Sequence, residues 1–275
     1  MVYLCGRPLP NRGRCTLGRE TAIQRMTWGD DGWLRTPNGD GMPVMDEPAP
    51  PGVEMQPPPA VPPREGFDAE TLPIDFQWLR TPDVDRLFSL RARKGHLRLF
   101  GRESVGSLFT QSLVARRQQA HCFSASTVME FEPDHFQQMA GLVCYYNSAK
   151  LHYLYVSRDA AGKQLRVMSA LPDQVMADAF TPPIPIASGV PIELRVEVDY
   201  ERLLFAWRPG SGPWHWLPQV FDASILSDEA TAPGLPNFTG AFVGVACQDL
   251  AGTAKPADFD WFEYRERDYS HGVDR

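Results

Sequence analysis

The stretch that most restricts the fold of this chain runs from Asn237 to Tyr264. Successive side chains of a strand point to opposite sides, so its first half puts Phe242, Gly244 and Ala246 on one face and Ala241, Val243, Val245 and Cys247 on the other. Both faces are apolar, the pattern of a strand covered on both sides. Beyond a turn at Gly252, Phe259, Trp261 and the aliphatic part of Glu263 alternate with Asp258, Asp260, Phe262 and Tyr264. Two such strands joined by a glycine-containing loop are expected to pair as a hairpin at the seam of a β-sandwich.

Strand-like runs recur before it, at the spacing of an all-β sandwich: 76–80, 96–100, 107–115, 122–131, 138–146, 151–157, 164–169, 192–199 and 203–207. Ile192 to Asp199 alternates most cleanly, with Ile192, Leu194, Val196 and Val198 inward and Glu193, Arg195 and Glu197 outward, which fixes its register. No segment sustains a helical period.

The first 45 residues have a different character. Val2-Tyr3-Leu4-Cys5 is an apolar run with no turn before it, and a Pro/Gly/Arg loop leads to Thr21–Trp28 and the turn at Gly29-Asp30-Asp31-Gly32, a strong hairpin signal. Strands so few and short expose too much apolar surface to stand alone, and Tyr3, Leu4, Ile23, Met26 and Trp28 are expected to need neighbours. From Pro48 to Pro63 half the residues are proline, a semi-rigid connector. The expected division is 1–45, a linker at 46–65, a sandwich over 66–269 and a tail at 270–275.

A net charge of −7 and a pI near 5.4 argue against nucleic acid or an anionic membrane as partner, since such binding neutralises phosphate with Lys and Arg. No run approaches the ~18 apolar residues of a membrane span, and Met1–Arg7 lacks the pattern of a signal peptide. The cytoplasm is the expected compartment. Cys5, Cys15, Cys122, Cys144 and Cys247 have no paired spacing and are expected as free thiols, with no zinc site. His121, His135 and His152 stand apart from any nucleophile motif.

Two sets of residues carry a family resemblance. Cys5-Gly6-Arg7-Pro8, Arg12–Gln24 and Trp28–Trp33 resemble the last blade of the five-bladed propeller of glycoside hydrolase family 43 β-xylosidases. Phe76–Arg80, Met139–Leu142, Phe238–Gly244 and Ala257–Asp260 resemble the concanavalin A-like C-terminal domain of the same enzymes. The resemblance implies a jelly-roll antiparallel sandwich preceded by a propeller remnant, and an activity on xylo-oligosaccharides or related glycosides, as β-xylosidase or α-L-arabinofuranosidase. Such enzymes need an acid and a base, ~6.5–9.5 Å apart when the outcome is inversion. In the family these carboxylates and a third that tunes them lie on earlier blades, so none is assigned to this chain, which alone is expected to be inactive. A separate propeller chain or a second copy is the implied partner. The alternatives are a non-catalytic carbohydrate-binding or structural sandwich and a truncated product without a role of its own.

The resemblance also implies site residues. An arginine of the last blade binds the xylose hydroxyls, a task suited to the planar donor fork of a guanidinium, and Arg14 and Arg19 match its motif, Arg19 the better. The competing expectation is a structural arginine paired with Glu20 or a loop carbonyl. A sandwich loop sends an aromatic residue into the active-site mouth, and Phe238 matches it; the competing place is the sandwich core. No cofactor is implied beyond a structural calcium at Asp75, Asp258 and Asp260, set against plain solvated acids. Trp207, Trp214 and Trp216 are either a sugar-stacking platform or buried mass.

Overall fold

The computed structural model describes residues 1–54, 56, 61–171, 179–230 and 237–267. Near the amino terminus β1 (Val2–Cys5) pairs with β2 (Glu20–Ile23), and β3 (Thr27–Trp28) with β4 (Leu34–Arg35) across the expected Asp31-Gly32 turn. There follow β5 (Arg64–Glu65), β6 (Phe76–Trp78), β7 (Phe88–Ser89), β8 (Leu97–Phe100), β9 (Ser112–Arg117) and β10 (Cys122–Glu130). Next come β11 (Gln138–Asn147), β12 (Lys150–Asp159), β13 (Gly162–Ala170), β14 (Ile184–Pro185) and β15 (Ile192–Asp199). The last are β16 (Arg202–Pro209), β17 (His215–Trp216), β18 (Phe221–Asp222), β19 (Phe242–Asp249) and β20 (Pro256–Glu266).

Two antiparallel sheets face one another. One runs β17-β16-β15-β10-β20-β8-β7, with β18 beside β16 and β5 beside β20; the other runs β14-β13-β12-β11-β19-β9-β6. Between them lies a continuous apolar core. Leu99, Phe123, Leu194, Val196, Phe205, Phe259 and Phe262 enter it from the first sheet, and Leu142, Leu154, Val156, Val167, Val243 and Val245 from the second. The alternation of β15 takes the expected register, and all five cysteines are free thiols, four of them buried. Among the described residues no helix is long and apolar enough to cross a membrane.

The expected hairpin between the last two strands does not form. β19 pairs with β11 and β9 in one sheet, β20 with β10, β8 and β5 in the other. Each is long and apolar enough to occupy the middle of a sheet, so the loop between them crosses from layer to layer. Asp249 holds that loop, accepting from the backbone N–H of Ala251 at 2.9 Å, the hydroxyl of Thr253 at 2.5 Å and the N–H of Lys255 at 2.9 Å. Burial raises the Asp249 carboxyl, but these bonds outweigh it and hold the group below its ordinary range.

The strict alternation expected along β20 also fails. The register against β10 shifts between Val128 and Met129, a bulge that reverses the facing of everything beyond it. Ala257 and Phe259 point inward before it, Phe262 and Tyr264 after it, while Trp261 is half-buried and the aromatic face swaps sides. The strand expected over 107–115 lies at Ser112–Arg117, because Ser104, Ser107 and Gln111 form local bonds that turn 103–111 into a loop. That loop brings Val105 onto the outer face of the second sheet, where Val143, Tyr145, Tyr153, Tyr155 and Ala246 form a second apolar cluster. Phe242, on a face expected to be covered, is a half-buried member of this outer cluster.

The amino-terminal segment packs on the sandwich. Leu9, Cys15, Thr16 and Leu17 are buried, the Ala241 N–H donates to the Thr16 carbonyl at 2.7 Å, and Arg12 pairs with Asp222 at 3.1 Å. Val2, Leu4, Ile23, Trp28, Trp33 and Leu34 stay exposed. Sandwich pairing starts with β5, whose Glu65 and Arg64 lie opposite Phe262 and Glu263. The expected tail at 270–275 and part of the proline-rich linker fall outside the described residues.

Candidate functional site

The seam between the amino-terminal segment and the sandwich is built on a glycine contact. Gly18 and Gly240 both have positive φ, +73° and +79°, and their backbones touch where any side chain would collide. The approach delivers Arg19, next to Gly18, and Phe238, two residues before Gly240, to a single surface. The guanidinium carbon of Arg19 stands 5.1 Å from the centroid of the Phe238 ring, a cation–π contact. Phe238 is 61% exposed and so is not a core residue. Of its preceding loop, 233–236 lies outside the described residues.

Carboxylates hold Arg19 from behind. Its Nη1 lies 2.8 Å from Oδ2 of Asp228, whose side chain is only 3% exposed, and its Nη2 lies 3.5 Å from Oε1 of Glu229. Neither Arg19 Nη1 nor Asp228 Oδ2 has a partner at hydrogen-bond geometry, so the pair is held by charge and not by a directed N–H. Tyr146 donates its hydroxyl to Oδ1 of Asp228 at 2.5 Å and accepts the Thr239 N–H at 3.2 Å. Burial and the bond to Asp228 push that phenol up to about 12. Glu229 also accepts the Cys15 N–H at 2.6 Å; burial raises its carboxyl, but this bond and others outweigh burial and lower it overall. Arg19 therefore presents a fixed, partly exposed guanidinium beside an aromatic face, with its Nη1 buried toward Asp228. That pairing suits a small polyhydroxylated ring.

The expected pairing of Arg19 with Glu20 is not formed. Glu20 instead takes a bidentate pair from Arg7, at 2.7 and 2.8 Å. Arg14 points elsewhere, its Nη1 donating to the Ser224 hydroxyl at 2.8 Å, and serves to dock the segment. No local pattern singles out Asp228, Glu229 or Tyr146. Asp228 and Glu229 follow Arg19 by more than 200 residues, and nothing local to Ser227-Asp228-Glu229 distinguishes them from a solvated acidic turn.

The other candidates disperse. Arg98 grips both oxygens of Asp258 at 2.7 and 2.8 Å, and Arg93 adds a bond at 2.8 Å. Burial raises the Asp258 carboxyl, yet the two arginines overcome it and lower the group. Asp75 is half-buried and Asp260 exposed; among the described residues no three His, Cys, Asp or Glu side chains gather to hold a metal ion. The tryptophans form no common platform: Trp207 packs on the core and against the His215 ring at 4.9 Å, while Arg208 covers Trp214 at 4.4 Å. His152 is buried between the Ser169 hydroxyl at 2.8 Å and the Asp222 carbonyl at 3.1 Å.

Comparison with known proteins matches residues 64–265 to the β-xylosidase C-terminal concanavalin A-like domain family. A xylosidase/arabinosidase 43B of Humicola insolens is 40% identical over 277 residues, 96% of this chain and 49% of that protein. A β-xylosidase of Bacillus subtilis is 37% identical over 277 residues, 97% of this chain and 51% of that protein. The solved xylan β-1,4-xylosidase of Bacillus halodurans superposes with a TM-score of 0.88 at 39% identity, covering 96% of this chain and 50% of that one. The chain thus spans about half the length of the relatives it matches. With a family match over residues 64–265 and relatives of this identity aligned along nearly all of it, the chain belongs to the glycoside hydrolase family 43 β-xylosidases, as a portion that carries their C-terminal concanavalin A-like domain.

Proposed function

We propose that this chain closes the mouth of the sugar pocket in a β-xylosidase/α-L-arabinofuranosidase acting on xylan-derived oligosaccharides. The observation that carries this reading is the meeting of Arg19 with Phe238 across the Gly18–Gly240 contact. Arg19 donates to neighbouring hydroxyls of the terminal sugar, and the exposed Phe238 ring caps the pocket so that only a short glycone fits. The acid and base come from propeller blades supplied by the other half of the enzyme. The exposed row of Leu4, Ile23, Trp28 and Trp33 gives those blades an apolar face to cover, with a second copy of this chain as the other candidate occupant.

The test is a chimera in which the amino-terminal half of the Bacillus subtilis relative precedes Met1. Hydrolysis of an aryl xyloside is expected, with Arg19→Ala and Phe238→Ala each lowering kcat/KM at least tenfold. A folded, active chimera indifferent to both substitutions would remove these residues from the pocket.

A further inference from the structure

We propose that Lys150 is a positioning residue for this site, clamping the two ends of the segment between Ala230 and Asn237 and so fixing Phe238 and the Arg19 carboxylates in place. The proposal rests on the reading of Arg19 and Phe238 given above, but its geometry stands by itself. Lys150 begins β12, just after the turn from β11, where a lysine is ordinarily solvated. Here it is fully buried. Its ammonium donates to the Ser227 carbonyl at 2.5 Å and the Ala230 carbonyl at 2.5 Å on one side, and to Oδ1 of Asn237 at 2.9 Å on the other. An ammonium has three N–H groups, and all three are used.

Each anchor lies next to a site residue. Ser227 precedes Asp228 and Glu229, which hold Arg19, and Asn237 precedes Phe238. The Lys150 ammonium also stands 3.8 Å from the centroid of Tyr146, the ring whose hydroxyl joins Asp228 to the Thr239 N–H. Lys150 is therefore tied to both sides of the Arg19–Phe238 contact without reaching its exposed face. A buried charge without a carboxylate among its direct partners is costly to keep, and a lysine in such a place invites a role beyond bulk.

The titratable and charged groups facing it come from three places: Asp228 and Glu229 from the turn between its acceptors Ser227 and Ala230, Arg14 from the amino-terminal segment, and Tyr146 from β11. Burial lowers the ammonium to about 8; Asp228 and Glu229 favour its charge and Arg14 opposes it. Tyr146, at about 12, keeps its proton through the same range. Losing a proton from Lys150 removes one of its three donors and the cation over the ring, so the clamp loosens as pH rises through about 8.

Hydrogen exchange on the chain alone tests this, because it needs no sugar and no partner. Rates are corrected for the intrinsic pH dependence of exchange. Amide protection over 223–230 and 237–240 is expected to fall about tenfold from pH 7 to pH 9.5 in the wild type, while β19 is unchanged. Lys150→Met should show the low protection at both pH values, and Lys150→Arg, charged throughout, should remove the pH dependence. Should Lys150→Met fail to fold, the wild-type pH series and Lys150→Arg still decide. Wild-type protection that does not respond to pH overturns the proposal, as does protection at pH 7 that is equal in Lys150→Met and wild type. A responsive clamp in a chain whose Arg19 and Phe238 variants leave the chimera unaffected would sink the pocket reading alone; an unresponsive one with sensitive chimera variants would sink only Lys150.

Discussion

Gly18 and Gly240 are in backbone contact: a Cβ built on Gly18 would lie 2.9 Å from the Gly240 Cα, and one on Gly240 would lie 2.8 Å from the Gly18 nitrogen. Backbone cannot yield as a flexible side chain does, and both positions have positive φ. Gly18→Ala or Gly240→Ala is therefore expected to cost about 2 kcal/mol or more. The loss should appear as release of the amino-terminal segment, read by limited proteolysis before residue 24, with strand pairing in the sandwich retained. An alanine variant as protected as the wild type would show that the two backbone segments can move apart at no cost.

The division of the chain near residues 45 and 66 leads to a deletion test. Among the described residues, the apolar core between the sheets contains none before Phe67. Removing residues 1–45 should leave one cooperative unfolding transition with a lower midpoint, and should raise solubility by taking away Leu4, Ile23, Trp28 and Trp33. Loss of the sandwich's β circular dichroism after this deletion would contradict a two-part organisation.

Three phenylalanines should separate cleanly in denaturant titrations. Phe238→Ala, at an exposed ring, should change stability by only about 0.5 kcal/mol. Phe242→Ala, half-buried under the Arg117 guanidinium, should cost about 1–2 kcal/mol. Phe259→Ala, fully buried, should cost about 3–5 kcal/mol. A loss at Phe238 equal to that at Phe259 would return Phe238 to the core.

His152 sets a pH dependence of stability. Its Nε2 donates to the Asp222 carbonyl, which leaves Nδ1 to accept the Ser169 hydroxyl, and burial lowers the ring to about 4 although the bond to Asp222 opposes that fall. The unfolded chain binds the proton near the ordinary value of 6.5, so stability falls as pH drops from about 6.5 toward 4, by at most ~3 kcal/mol. The stability gap between wild type and His152→Gln should accordingly narrow between pH 7 and pH 4.5. A gap constant across that range would mean that the ring is not kept neutral.

The purified chain by itself should not turn over an aryl xyloside. An acid and a base on opposite sides of the bond supply much of the barrier reduction in such hydrolysis, and the carboxylates beside Arg19 are engaged by Arg19, Tyr146 and Cys15. Turnover comparable to an intact relative, lost on mutation of Asp228 or Glu229, would assign catalysis to this pair.

What was legible in the sequence was local. The register of Ile192–Asp199 follows from alternation alone, and the turn at Asp31-Gly32 from backbone preference. Arg19 and Phe238 were named through a family motif, and their meeting depends on a contact between residues 18 and 240 that no window of sequence contains. The bulge opposite Val128 and Met129 was invisible because an extra residue in a strand leaves hydrophobic composition unchanged while reversing its facing. The supposed last hairpin failed for a related reason: an apolar strand states that it will be covered, not which strand it will pair with. Lys150 falls between the expected strands 138–146 and 151–157 and carries no local sign of burial, since its three acceptors come from residues 77 to 87 positions away.

The placement of β20 bears on how the molecule can be made. This strand lies between β10 and β8 and also carries β5, yet it follows all three in sequence. On a translating ribosome, β10 emerges more than 120 residues before its partner, and during that interval the first sheet has a gap at its centre. In the second sheet β11, β12 and β13 are successive hairpins that can pair as they are synthesised, while β9 waits for β19 to join it to β11. Nascent chains should therefore hold a formed run of hairpins beside two unfinished sheets, and ribosomal stalling before Pro256 would expose the Phe123 and Met129 side of β10 to chaperones.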